Sequence, residues 1–251
     1  MRSTFTPAVV VAALGLTLSA CGHEQKPSAS SAVSSPSSAT AKPPVSQTDA
    51  AALVLSPAEV DHLLGITGSK NKYAINSFEE DAQKYSPGKW KFPDECAYTL
   101  GGAERQAYSG AGDVKIVGED DAAFVNNDHD VEVGQSIVVF PSAQGARDFF
   151  ASSTASWKVC AGRSFNTPAS AENPEISWKV GPFANSADVL TTSLSMNVAA
   201  ASDGGPAVVV NTDRALTVRD NLVIDIDVTG KDPGDSAVKV AGAIAARGTS
   251  H

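Results

Sequence analysis

Arg214, Asp225 and Asp227 are the side chains whose types and spacing best suit polar recognition in this sequence. They flank Asp220-Asn221, a dipeptide suited to a two-residue hairpin turn. With that pair as the turn, Arg219 pairs with Leu222, and counting outward along both strands sets Arg214 opposite Asp227. Side chains alternate along a strand, so Arg214, Asp225 and Asp227 share one face while Ala215, Thr217, Leu222, Ile224 and Ile226 share the other. The apolar face belongs to a core. The charged face is either solvated and tied by cross-strand ion pairs, or it lines a cleft where Arg214 offers a fork of donors to a carboxylate, phosphate or sugar hydroxyl.

Other clusters point to less. Asp128-His129-Asp130 has metal-binding residue types, but adjacent residues cannot close a chelate on one rigid face, and a solvated loop is expected. Asp225-x-Asp227-x-Thr229-Gly230 echoes a calcium loop, yet Ser236 occupies the position of the bidentate glutamate and the alternating apolar residues favour a strand. The chain carries no Gly-x-Ser-x-Gly, no His-Glu-x-x-His and no Gly-rich phosphate loop. The expectation is a protein without turnover, metal or cofactor.

The elements that must position these residues are legible from periodicity. Ser56-Pro57-Ala58-Glu59 is a capping box with proline at the first helical position, Val60, Leu63 and Leu64 follow at helical spacing, and Gly65 supplies a left-handed stop. Residues 66–95 read as an irregular, charged excursion. Strands are predicted at Cys96–Leu100, Asp113–Gly118, Glu132–Phe140, Ile176–Val180, Val189–Asn197, Ala207–Val218 and Leu222–Val228. Ser142 caps a long helix carrying Ala146, Phe149, Phe150 and Trp157, and a last helix from about Asp235 to Arg247 puts Val238, Ala241 and Ile244 on one face. Strands in runs, interrupted by one helix and ended by another, predict an α+β domain on a mainly antiparallel sheet.

Composition bounds the function classes. The 251 residues are 42% hydrophobic and 19% charged, with a formal net charge of -9. Such a chain is too apolar to be disordered throughout and too acidic to draw nucleic acid or a bare anionic membrane by long-range attraction. Residues 1–20 have the basic start, short apolar run and small-residue end of a secretory signal. Leu18-Ser19-Ala20-Cys21 resembles a bacterial lipobox, which implies cleavage before Cys21 and attachment of diacylglycerol and palmitate-type acyl chains to it. Several chains together hold a protein stably on a membrane where one would not. Residues 21–50 are rich in Ser, Ala and Pro and read as a disordered tether, spanning on the order of 30 Å, before a folded domain at 51–251. The same composition also suits a glycosylated stalk.

With Cys21 committed to lipid, Cys96 and Cys160 remain as an even pair in an oxidising compartment. They are read as a disulfide, with two buried free thiols as the alternative.

Several strings together resemble one family: Leu53-Val54-Leu55-Ser56, Pro93-Asp94-Glu95-Cys96, Val138-Val139-Phe140-Pro141-Ser142-Ala143, Trp157-Lys158-Val159-Cys160-Ala161-Gly162 and Arg214-Ala215-Leu216-Thr217-Val218-Arg219. The chain is similar, over about residues 52–247, to the extracellular sensor domain of the mycobacterial Ser/Thr kinase PknH and the lipoproteins that share it. The resemblance implies a curved antiparallel sheet with flanking helices and a deep cleft for an unidentified ligand. It also implies a second disulfide at positions that here hold Thr212 and Thr229, and the register from Asp220-Asn221 sets those two residues opposite each other.

A lipid-anchored sensor on the extracytoplasmic face of the cell membrane is the reading that follows. Its expected ligand is a small molecule or an envelope glycan or lipid bound in the cleft, with Arg214, Asp225 and Asp227 as candidate contacts. The sequence displays no kinase domain, so signalling is expected to pass through another membrane protein. A non-catalytic envelope interaction protein is the alternative, which would present an apolar patch or sheet edge instead, and a hydrolase ranks third.

Overall fold

The middle of the sheet is buried on both faces, because its strands are rich in Val, Ile and Leu and layers pack on each side. The computed structural model describes residues 43–78, 93–125, 129–169, 174–200 and 206–247. Its strands are β1 (Lys70–Ile75), β2 (Lys115–Val125), β3 (His129–Val139), β4 (Ser164–Thr167), β5 (Ile176–Val180), β6 (Ala184–Ser186), β7 (Val189–Val198), β8 (Val208–Arg219) and β9 (Leu222–Gly230). They form one sheet in the order β1-β2-β3-β9-β8-β7-β5-β4, with β6 against β7. Every pairing is antiparallel, so the expected α+β architecture on an antiparallel sheet holds.

Helices α1 (Gln47–Ala51), α2 (Pro57–Leu64) and α4 (Ser236–Arg247) cover one face. The apolar side of α4 is built from Ala237, Val240, Ala241 and Ile244, mostly small residues that let the helix lie close on Ala215, Ile224, Ile226 and Val228. On this face Gln135 is fully buried: its Oε1 accepts from Leu55 N (2.9 Å), and its Nε2 donates to Leu55 O (3.0 Å) and Asp121 Oδ2 (3.0 Å). The bend between α1 and α2 is thereby fixed to the sheet. Burial, and secondarily Glu119, pushes the Asp121 carboxyl up to about 6.

The long helix α3 (Ala143–Cys160), capped by Ser142, and a strap that begins with the 3-10 helix Asp94–Thr99 cover the opposite face. Their core joins Tyr98, Trp157, Trp178, Ile116, Val138, Phe140, Leu216 and Val223. Cys96 and Cys160 are disulfide-bonded, Cα to Cα 5.7 Å.

Several expectations need correction. Cys96–Leu100 is not a strand: the segment lies across the sheet as the 3-10 helix, so the disulfide ties α3 to the strap and not to a strand. The 66–95 excursion contains β1, whose lysines and asparagine mask a strand that sits at the sheet edge with one face in solvent. Residues 79–92 within it, and Asp128 of the Asp-His-Asp cluster, lie outside the described residues, as does Cys21. Short strands β4 and β6 escaped the reading because they are largely exposed and carry little apolar alternation. Val238 is 39% exposed, and Val240 takes the place expected for it on the buried side of α4. The fold also starts before residue 51: Val45 N donates to Asn221 Oδ1 (2.7 Å) and Ala50 is fully buried.

Candidate functional site

The β8–β9 hairpin has the register that its turn chemistry requires. Asp220 adopts the left-handed φ of 51°, Asn221 Nδ2 donates to Phe140 O and Val45 O, and Arg214 faces Asp227 as Thr212 faces Thr229. Of the two sequence readings for the charged face, the solvated one does not hold, because the strap covers it. Arg214 is 1% exposed and Asp225 2%.

Arg214 uses its planar fork in three directions. Nε donates to Ile226 O (3.3 Å), Nη1 to Tyr98 O and Nη2 to Asp225 Oδ1, while the guanidinium carbon lies 5.5 Å from the centre of the Trp157 ring. Burial works against its charge, but Asp225 and Asp227 outweigh it and hold the guanidinium above its usual pKa. The other oxygen of Asp225, Oδ2, accepts from Ala103 N (2.8 Å) and the Tyr108 hydroxyl (2.9 Å). Burial first, and Asp225 second, push the Tyr108 hydroxyl well above its ordinary pKa. Ala103 is buried with φ 52°, a conformation an alanine rarely adopts, held where its N–H meets Asp225.

Asp227 points beside this cluster. Its Oδ1 accepts from Gly102 N (2.7 Å), and its ladder partner is Gly134, where any Cβ would collide with the carboxylate. Burial raises the Asp227 pKa, and Arg214 opposes the rise.

The strap is fixed at both ends. Beyond the disulfide, the Tyr98 ring stacks on Trp157 (centroids 5.5 Å apart, planes at 6°) and the Tyr98 hydroxyl donates to Ser156 O (2.7 Å). Farther along, Tyr108 stacks on Phe149 at 4.3 Å. The strap divides the space above the sheet into two cavities. The larger, about 560 Å³, opens between the strap and α3, with Tyr108, Phe149, Ser152, Ser156, Arg214 and Asp225 in its wall. The smaller, about 260 Å³, lies on the other side over Thr212, Thr229 and Asp227. Gly101 and Glu104 belong to both walls, so the three candidate residues sit at the partition: Arg214 and Asp225 toward the larger cavity, Asp227 toward the smaller.

Sequence reasoning found the hairpin residues but missed Tyr98, Gly102, Ala103 and Tyr108, which meet them from the strap. The one available signal was the nearness of Tyr98 to Cys96 and of Trp157 to Cys160, since joining the cysteines must bring the two rings together.

Residues 45–247 match the family described as PknH-like extracellular domain. The chain is 27% identical over 201 residues to the serine/threonine-protein kinase PknH of Mycobacterium bovis, covering 80% of this chain and 31% of the kinase. It is likewise 27% identical to PknH of Mycobacterium tuberculosis strain H37Rv, covering 29% of that protein. The chain therefore spans about a third or less of the curated relatives it matches. The crystal structure of the extracellular domain of PknH from Mycobacterium tuberculosis superposes with a TM-score of 0.64 at 23% identity, covering 83% of this chain and 98% of that one.

Proposed function

The chain belongs to the family of PknH-like extracellular domains, and from that premise we propose that it is a non-catalytic, lipid-anchored sensor that binds a small ligand or envelope component in the larger cavity. Cys21 carries the lipid on the extracytoplasmic face of the membrane, the Ser/Ala/Pro-rich segment is the tether, and occupancy is passed to another membrane protein.

One observation carries the binding reading: the cavity of about 560 Å³ falls in the size range of small-molecule sites and combines aromatic walls with a few convergent polar groups. Tyr108 and Phe149 offer flat apolar faces, and the Ser152 and Ser156 residues of α3 stand at its edge. Three of the five N–H donors of Arg214 are committed inside the protein, which leaves two for a carboxylate, phosphate or sugar hydroxyl while Asp225 holds the fork in place.

The test is native mass spectrometry of the protein purified from its own envelope, beside Ser152→Trp, which places an indole in the cavity from an exposed helix position. A co-purifying small molecule present on the wild type and lost from Ser152→Trp is expected. A bare wild-type protein that also fails to bind any envelope fraction would turn the reading toward an interaction protein.

A further inference from the structure

We infer, on the reading that the larger cavity is the binding site, that its guest is a neutral sugar whose hydroxyls meet Ser153 and the uncommitted N–H groups of Arg214.

A buried hydroxyl without a partner stands in the cavity wall. Phe149, Ser153 and Trp157 are spaced four apart on α3, so they form one stripe of the helix, and all three line the cavity. Thr154 donates back to Phe150 O and Ser156 to Ser152 O, the usual way a helix satisfies a hydroxyl. Ser153 does neither: it is 7% exposed, and its hydroxyl meets no hydrogen-bond partner among the described residues. Burying a hydroxyl unbonded is costly, and alanine would fill the same place without that cost. A ligand oxygen in the cavity answers Ser153 in both senses, since a hydroxyl donates one bond and accepts two.

The state of Arg214 decides against an acid. It is the one Lys, Arg or His that lines the cavity among the described residues, and it is 1% exposed. Its charge is already met within the protein, by Asp225 on Nη2 and by Asp227 opposite it in the ladder. A carboxylate or phosphate guest would therefore bring an unbalanced charge into a site screened from water. A neutral oxygen accepts from the two uncommitted N–H groups without that penalty. A ketone or ester would answer these donors but offer no proton to the Ser153 oxygen; a sugar hydroxyl both donates and accepts. Phe140, Tyr108 and Phe149 supply flat apolar surface in the same wall, suited to the C–H face of a pyranose ring.

Calorimetric titration of the purified full-length chain tests the inference, with glucose, galactose and mannose each set beside its own uronic acid. At least one neutral sugar is expected to bind, and its uronate to bind about tenfold more weakly or not at all. Ser153→Ala is expected to weaken that sugar by about threefold or more. The free Ser153→Ala protein should melt no lower than wild type, because the hydroxyl it loses has no partner inside the protein. Ser152→Trp, which fills the cavity, should abolish sugar binding. The inference is overturned by absence of neutral-sugar binding at about 10 mM, weaker than the affinities expected of a specific site. It is equally overturned by a uronate that binds as well as its sugar, by sugar binding indifferent to Ser153→Ala or Ser152→Trp, or by a free Ser153→Ala protein that melts lower. A uronate, or a co-purifying molecule that is not a sugar, bound by wild type and lost from Ser152→Trp would overturn the sugar and leave the cavity as the binding site.

Discussion

Arg214 stands opposite Asp227 in the β8–β9 ladder, yet its guanidinium bonds diagonally to Asp225. The directly opposite carboxylate is held by Gly102 N instead. An arginine spans the diagonal of an antiparallel pair comfortably, and the choice leaves two carboxylates gripping two successive N–H groups of the strap, those of Gly102 and Ala103. The ion pair is thus the clasp of a segment distant in sequence as well as a bond within the hairpin.

Arg214→Met should therefore be costly, by about 3–5 kcal/mol, because it leaves Asp225 charged and buried without its partner. The double variant Arg214→Met/Asp225→Leu should be more stable than Arg214→Met alone, since it removes the stranded charge. Urea unfolding of the set checks this, and a double variant whose losses simply add would contradict the clasp.

Gly134→Ala forces a methyl group into the Asp227 carboxylate. A loss of about 1–3 kcal/mol is expected for such overpacking. Shortening the carboxylate in Gly134→Ala/Asp227→Ser should recover part of it, and thermal melting of the two proteins reads the difference.

Removal of the disulfide through Cys96→Ala/Cys160→Ala should cost roughly 4 kcal/mol in the chain-entropy view, for a bridge between residues 64 apart. The strap should respond most. Amide exchange of Cys96–Ala111 is expected to rise more than that of the β8–β9 hairpin, whereas a uniform rise would mean that the bridge stabilises the fold without specifically fixing the strap.

Asp121 makes stability depend on pH in a defined direction. Its folded pKa, raised to about 6 chiefly by burial, exceeds the ordinary value of 3.8, so the folded state binds the proton more tightly than the unfolded state. The stabilisation is complete below the unfolded pKa and is lost as pH rises through about 6. Asp121→Asn, which mimics the protonated form, should melt higher than wild type at pH 7.5, and the difference should shrink toward pH 4. A constant offset across that range would remove Asp121 as the source.

Lipid attachment at Cys21 is expected to carry the wild-type protein into the detergent phase on partitioning, with residues 1–20 absent by N-terminal mass analysis. Cys21→Ala should stay in the aqueous phase. Wild-type protein found there with an unmodified thiol would dispose of the anchor.

The sequence by itself determined whatever depends on near neighbours in the chain. The capping box at Ser56, the left-handed stop at Gly65, the Ser142 cap of α3 and the pairing of Arg214 with Asp227 across Asp220-Asn221 all follow from local periodicity and turn chemistry, and each is present as read. Cys96 and Cys160 were matched by counting. What the second face of the hairpin touches was decided only in three dimensions. Alternation revealed that Arg214, Asp225 and Asp227 share a face, but it carries no information about what covers that face. The cover comes from Tyr98, Gly102 and Tyr108, separated from their hairpin partners by 116, 125 and 117 residues. Those contacts bury an ion pair that the sequence left either solvated or lining a cleft, and they divide the space above the sheet into two cavities. They also help explain why Cys96–Leu100 is not a strand: once Arg214 takes the Tyr98 carbonyl and the disulfide takes Cys96, the segment is bonded across the sheet instead of along its edge. Strand propensity is a weak preference, and a buried cation with its carbonyl acceptor outweighs it.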